Sequence, residues 1–331
     1  MMNKLEQLYE TLTEQILADN IPWSKYVLLH ENFKILPDDA RLSEIKQSMI
    51  DHPQIKSVYR RLFDPRLGVP SIANQPASHK IYGSYYWGLR FLADIGLTAN
   101  DLPFDEIAHQ IFIHQLPDGQ FTTSYHRKTK TPVTAVCLTA HLTYSLAKLG
   151  YQNSRGIRAA INYMVTTPRK DGGWHCDWEK QIGERDEAAS SCPSANMNVI
   201  RVLALFGNRY QELIKKTIDQ MYHHWKYPQA NNSLCDFGSG AISMKLRYPP
   251  HYWSYDLLNV LDTVSMYPDF CKHESFTEMI EKVVSKWDGR SLLKSEKSIP
   301  EWQGFDFGKN NNYSCWISCL VCRILKRIYF S

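Results

Sequence analysis

The sequence predicts an all-α chain assembled from successive helix pairs, and three observations carry that expectation. Apolar residues recur at helical spacing in one segment after another. Sustained period-two alternation of β-branched residues is missing, so strand signals are nearly absent. Asp-Gly turns at 118, 171 and 288 recur with a spacing of about one helix pair.

In chain order, residues 1–76 read as an N-terminal helical segment, interrupted at Ile21-Pro22-Trp23 and Asp64-Pro65-Arg66, that packs on the rest. Helices are then expected over 80–96, 105–115, 132–150, 155–167, 193–207, 210–227, 251–267, 275–287 and 313–328. Pro193 suits the first turn of its helix and Gly207 the C-terminal cap. Residues 77–331 give four or five pairs. Closing the pairs into a ring gives each one a neighbour, which an open stack denies its ends. The expected architecture is therefore a single-domain α/α toroid, a barrel of helix pairs, with the segment 1–76 packed against it.

Composition fits one large folded chain. Of 331 residues, 44% are apolar and 12% aromatic, enough for a sizeable core. Charged residues make up 22% and give a formal net charge of +4. The basic clusters, Arg127-Lys128-x-Lys130 and Lys215-Lys216, are too short to argue for a nucleic-acid partner. No apolar run is long enough to span a bilayer. Residues 1–20 lack the apolar core of a secretory signal, so the eight cysteines read as reduced thiols of a cytoplasmic protein. Cys315, Cys319 and Cys322 share one helical stripe and read as small core residues. Nothing in the sequence specifies an oligomeric state.

Residues 158–174 read Arg-Ala-x-x-x-Tyr-Met-x-x-x-Pro-x-x-x-Gly-x-Trp. An earlier copy, Ile111-x-x-x-Gln115-x-x-x-Gly119-x-Phe121, keeps a Gln where the later one has Pro168 and has Phe in place of Trp. These resemble the QW repeats of squalene and hopene cyclases. The chain is similar, on that basis, to the terpenoid-cyclase and protein-prenyltransferase superfamily, whose α/α toroids are built from such pairs. Further motifs extend the resemblance almost end to end: Ile-Pro-Trp at 21–23, Asp-Gly-Gly-Trp-x-Cys at 171–176, Cys-Pro-x-Ala-Asn at 192–196, Trp-x-Tyr-Asp-x-Leu-x-Val-Leu-Asp at 253–262 and Trp-x-Gly-Phe-Asp-Phe-Gly at 302–308. They look like those of bacterial proteins known only as prenyltransferase or squalene-oxidase repeat proteins. The resemblance implies a fold and brings no single reaction with it.

Alternate helices of a toroid form an inner ring with their N-termini at one rim. Aligned on their C-terminal ends, the inner helices bring Gly83, Cys137 and Ser194 to one level, with Tyr255 and Tyr313 near it. The loops 118–132, 169–192, 227–250 and 287–312 gather there, and long loops in a compact domain commonly carry function. Helix N-termini at such a rim favour an anionic group. Cys176, Cys192 and His251 are the expected metal ligands, with Asp177 and Asp236 as competing candidates, since thiolate and imidazole suit zinc and three protein ligands leave a fourth position open. The resemblance points the same way, because prenyltransferases and lanthionine cyclases hold catalytic zinc with related ligands. Packing and hydrogen bonding within the loops would explain the same three residues without a metal.

Tyr255 and Asp256 are the candidates for orienting substrate or moving protons, with His175 and Asp236 as supporting polar groups. Tyr85, Tyr86, Trp87, Trp253, Tyr255, Tyr313 and Trp316 either line a central cavity or fill the core. Neither the Asp-x-Asp-Asp acid motif of class II cyclases nor the Asp-Asp-x-x-Asp motif of class I is present. The leading expectation is an enzyme acting on a small apolar, isoprenoid-like substrate, with zinc as its one implied cofactor. The alternatives are a non-catalytic toroid that binds a lipid or peptide, and, less favoured, a carbohydrate-active toroid.

Overall fold

A computed structural model describes residues 2–73, 80–125, 129–175, 191–228, 242–250 and 256–330. The all-α class read from the sequence is what the chain has. Thirteen α-helices are described, and the only ladder among the described residues pairs β1 (Ser124–Tyr125) with β2 (Pro132–Val133), antiparallel. The chain divides into two compact units. One holds residues 1–57, 243–251 and 256–331; the other holds 58–242 and 252–255.

In the second unit the helices are α5 (Tyr85–Asp94), α6 (Asp105–Phe112), α7 (Val136–Leu146), α8 (Arg155–Thr166), α9 (Pro193–Leu203) and α10 (Gln211–Lys226). Helix α7 packs against both α5 and α9, while α8 backs α7 and α10 backs α9. This alternation of an inner row with outer partners is the pairing expected of an α/α toroid. Composition follows position: every residue of α5 is buried, whereas α8 buries one stripe of Ile157, Ala160, Ile161, Tyr163 and Met164. Helices α5 and α7 run in the same direction. Tyr86, near the start of α5, stacks on His141 of α7, and Asp94, at the end of α5, meets Tyr144 farther along α7.

In the first unit, α1 (Met2–Ala18) lays Leu5, Leu8, Leu12 and Ile16 against α13 (Cys315–Tyr329). There α13 also packs on α11 (Leu257–Val264), which is backed by α12 (Glu274–Val284). Short helices α2 (Pro22–Val27) and α3 (Ala40–Asp51) pack together, and α2 also meets α13. Helix α4 (Pro53–Arg61) runs from this unit into the other, which begins at Val58. The three cysteines of α13 are buried, as their shared stripe suggested. Burial pushes the Cys322 thiol up to about 12 and Cys319 well above its ordinary value.

Local chemistry sets the helix ends. The side chains of Asp39, Ser154, Asp256 and Ser314 accept backbone N–H groups at the starts of α3, α8, α11 and α13. Pro193 opens α9, where its missing N–H costs nothing. The first QW-like turn closes through Gln115, whose Nε2 donates to the carbonyls of Gly119 and Gly156, both at 2.9 Å. Gly119 has φ +101°, and a Cβ there would lie 2.3 Å from the Ala159 carbonyl oxygen, so the turn requires glycine.

Candidate functional site

The inner row brings a layered set of polar and aromatic groups to the start of its helices. Cys137 and Ser194 are each the second residue of their helix, and Gly83 lies just before α5. Tyr86, the second residue of α5, stacks on His141, midway along α7, with centroids 3.7 Å apart, and Trp87 meets the same imidazole edge-on at 5.1 Å. The Nε2 of His141 lies 3.0 Å from the Tyr86 carbonyl oxygen. A carbonyl can only accept, so Nε2 carries a proton. Burial, reinforced by the nearby Cys137 thiol, pushes the Tyr86 phenol well above its ordinary value. It is therefore a neutral donor at physiological pH.

The turn before α9 is clamped to that helix. Asp171 accepts from the N–H of Gly173 (3.1 Å) and of Ser191 (2.7 Å). Asn196 accepts from the Trp174 N–H (2.8 Å) and donates through Nδ2 to Ser191 Oγ (2.8 Å). The Cys192 N–H donates to the Trp174 carbonyl at 2.6 Å, and Trp174 Nε1 donates to the Met164 carbonyl at 2.7 Å. This clamp brings the backbones on either side of 176–190 together. It sets His175, next along from Trp174, near Cys192, the residue that precedes α9; both side chains are buried.

Behind the turn, Thr217 of α10 donates to the Gly172 carbonyl (2.8 Å). His224 of the same helix is buried, and its Nδ1 has no hydrogen-bond partner. Burial, with the neighbouring His223, lowers its pKa to about 4 against an opposing pull from Asp171.

The far ends of the inner helices hold a buried ion pair. Arg90 Nε lies 2.7 Å from Asp94 Oδ2, and both side chains are 2% exposed. Tyr144 donates to Asp94 Oδ1 at 3.1 Å, while the Arg90 and Arg201 guanidinium groups lie 4.4 and 5.7 Å from the Tyr144 ring centroid. One residue from each of α7 and α9 thus joins the pair on α5. The signal in the sequence was an i, i+4 Arg–Asp pair inside an otherwise apolar helix, which marks charges meant for burial.

Of the residues singled out in the sequence, His175 and Cys192 are brought close in this unit. Asp256 lies in the other unit, fully buried, where its Oδ1 accepts the Asn259 N–H at 3.0 Å and caps α11. Cys176, Asp236, His251 and Tyr255 lie outside the described residues. Among the described residues, no group of three His, Cys, Asp or Glu side chains comes together as metal ligands. No described helix is long and apolar enough to cross a membrane.

A second carboxylate, which sequence reasoning had placed only as part of a loop, stands out in the first unit. Asp306 Oδ2 accepts from Ser314 Oγ (2.8 Å) and the Trp316 N–H (2.9 Å), while its Oδ1 is buried without a partner. Burial raises its pKa against these hydrogen bonds. The flanking Phe305 and Phe307 stack with Trp302 and reach Trp23 and Tyr248.

No family model matches the sequence, and no curated protein sequence matches it. Among solved structures, the chain is similar to type II terpene cyclase MstE from Scytonema. For an apo point variant the identity is 12%, with 99% of this chain and 98% of that chain covered and a TM-score of 0.47. Apo MstE gives 10% identity, 98% of both chains and 0.45. A second point variant, in complex with its substrate geranylgeranyl dihydroxybenzoate, gives 12%, 99% of both chains and 0.44.

Proposed function

We propose that this chain is an enzyme of the terpenoid-cyclase or prenyltransferase kind, acting on a small apolar, isoprenoid-like substrate at the N-terminal ends of α5, α7 and α9. The observation that carries the reading is the stack of Tyr86 and Trp87, in the first turn of α5, on His141 of α7. Aromatic faces accept hydrocarbon and stabilise positive charge developing beside them.

Zinc belongs to this proposal, held by Cys176, Cys192 and His251. Of that set, Cys192 lies among the described residues: it is buried, and its N–H bonds the carbonyl of Trp174, two residues before Cys176. Such an ion, when bound, supplies a Lewis acid that activates a thiol or water. His175 and Asp236 would orient the ligands. Tyr255 and Asp256 belong to the proposal as the residues that position substrate.

Elemental analysis of purified, tag-free protein beside Cys192→Ala tests the metal. About one zinc per chain, lost in the variant at unchanged helical content, is the expected result; metal-free wild type overturns it. A second reading, a non-catalytic lipid- or peptide-binding toroid, is favoured by the absence of both cyclase acid motifs. Incubation with farnesyl and geranylgeranyl substrates separates the two, because a binder returns them unchanged. Tyr86→Ala should weaken farnesyl binding, followed by tryptophan fluorescence, about tenfold; an unchanged affinity would remove the aromatic stack from the site.

A further inference from the structure

The loop before α7 holds two buried polar atoms that the protein leaves without partners. Residues 114–116 and 120–122 form a tight antiparallel turn: the Leu116 N–H donates to the Gln120 carbonyl, the Thr122 N–H to the His114 carbonyl, and Gln115 bridges Phe121. In such a pairing, successive side chains point to opposite sides. Phe121 and its neighbour Thr123 are accounted for: Phe121 meets Phe112, and Thr123 Oγ1 bonds the Val133 carbonyl. Gln120 and Thr122 share the other side.

Gln120 is 6% exposed and Thr122 fully buried, yet Gln120 Oε1 and Thr122 Oγ1 have no hydrogen-bond partner. Buried polar groups are usually paired, and these two belong to residues on the same side of one short segment. The orientation of the Gln120 amide is fixed by Asp118, whose carboxylate accepts both the Gln120 N–H (3.0 Å) and its Nε2 (2.8 Å). Only Nε2 can face that carboxylate, so Oε1 is turned inward as a pure acceptor. Beside it, the Thr122 hydroxyl can donate or accept.

We infer that Gln120 and Thr122 form a subsite for the hydroxyl-bearing end of an apolar ligand. A neutral O–H group meets both atoms at once, donating to Gln120 Oε1 and accepting from Thr122 Oγ1. An anion does not, because it would face the lone pairs of Oε1 with the Asp118 carboxylate behind. This reverses the preference for an anionic group that the helix N-termini alone suggested. The inference rests on the reading that this unit takes an apolar ligand, and it names the polar end of that ligand.

Farnesol, farnesyl methyl ether and farnesyl phosphate test it on the full-length protein, with Gln120→Met and Thr122→Val as near-isosteric variants. Wild type should bind farnesol about tenfold more tightly than the ether, which lacks the donor, and more tightly than the phosphate. Each variant should remove most of that preference at unchanged affinity for the ether. Thr122→Val should keep or raise the melting temperature of the unliganded protein, since it deletes an unpaired hydroxyl. A lowered melting temperature would mean that an internal water already completes the pair, and would overturn the subsite. A farnesol-to-ether ratio unaltered by both variants, or tighter phosphate binding, would overturn it too and leave the apolar-ligand reading standing. Failure of all three probes to bind would overturn both.

Discussion

Replacing Gly173 by Ala tests the clamp that sets His175 near Cys192. A Cβ at this position would lie 2.3 Å from Ser191 Oγ and 2.4 and 2.6 Å from the amide atoms of Asn196. All three belong to the hydrogen-bond chain that fixes the turn to α9, so the methyl group cannot be housed without moving Asn196. Overpacking of this kind costs about 1–3 kcal/mol. Displacing Asn196 also strips the buried Trp174 N–H and Ser191 Oγ of their bonds, at about 1 kcal/mol each. A total of roughly 3–5 kcal/mol is expected in urea denaturation followed by tryptophan fluorescence. Gly289→Ala is the control: it has φ +86° and nothing within 4 Å of the added atom, so only backbone strain of about 1 kcal/mol is expected. Because the clash is with Asn196 and Ser191, Gly173→Ala combined with Asn196→Ala should cost clearly less than the two added together. A loss below about 0.5 kcal/mol for Gly173→Ala, the size expected of an ordinary surface site, or full additivity with Asn196→Ala, would refute the clamp.

Three further outcomes are expected. His224 has its pKa lowered from 6.5 to about 4, so the unfolded chain binds its proton first; the stability due to keeping it neutral is intact above pH 6.5 and falls away as the pH drops towards 4. The loss is roughly 3 kcal/mol at most by linkage, and His224→Leu should flatten the pH dependence of urea midpoints across that window. Arg90→Leu should cost about 3–5 kcal/mol, because it strands the buried Asp94 carboxylate, whereas the pair Arg90→Leu with Asp94→Leu should recover much of that loss in thermal melts. Asp306→Asn should be nearly neutral at pH 7, since the amide oxygen still accepts from Ser314 and Trp316 while the burial penalty on a charge disappears; Asp306→Ala, which abandons both donors, should cost about 1–3 kcal/mol.

How far the fold could be read from the sequence depended on where its determinants lie. Helices α8, α9, α10, α12 and α13 begin within two residues of expectation, because their start signals are local: Ser154 and Ser314 are caps and Pro193 opens its helix. Helix α7 begins at Val136 instead of 132 because Pro132 and Val133 pair with Ser124 and Tyr125, and that partner is distant in sequence. Helix α5 begins at Tyr85, after a turn through 81–84, and no strong cap marks its start.

The candidate site was legible in a different way. The rim logic placed His175 and Cys192 near one helix start, and the structure holds them there through Asn196, whose partner Trp174 is 22 residues away. No periodicity encodes that bond. What the sequence does record is the residue type: an Asn in the first turn of a helix that is otherwise apolar on its inner side has to find partners outside its own backbone. The same reasoning reaches Gln120 and Thr122, polar residues beside Phe121 in the turn before α7. There no partner is found among the described residues. Where burial of a polar side chain is matched by a bond, as at Asn196, the residue builds the scaffold. At Gln120 and Thr122, next to each other on one side of the turn before α7, the proposed partner is the ligand. That distinction separates the clamp from the subsite, and it makes Thr122→Val, which should not destabilise, the sharper test than any substitution in the clamp.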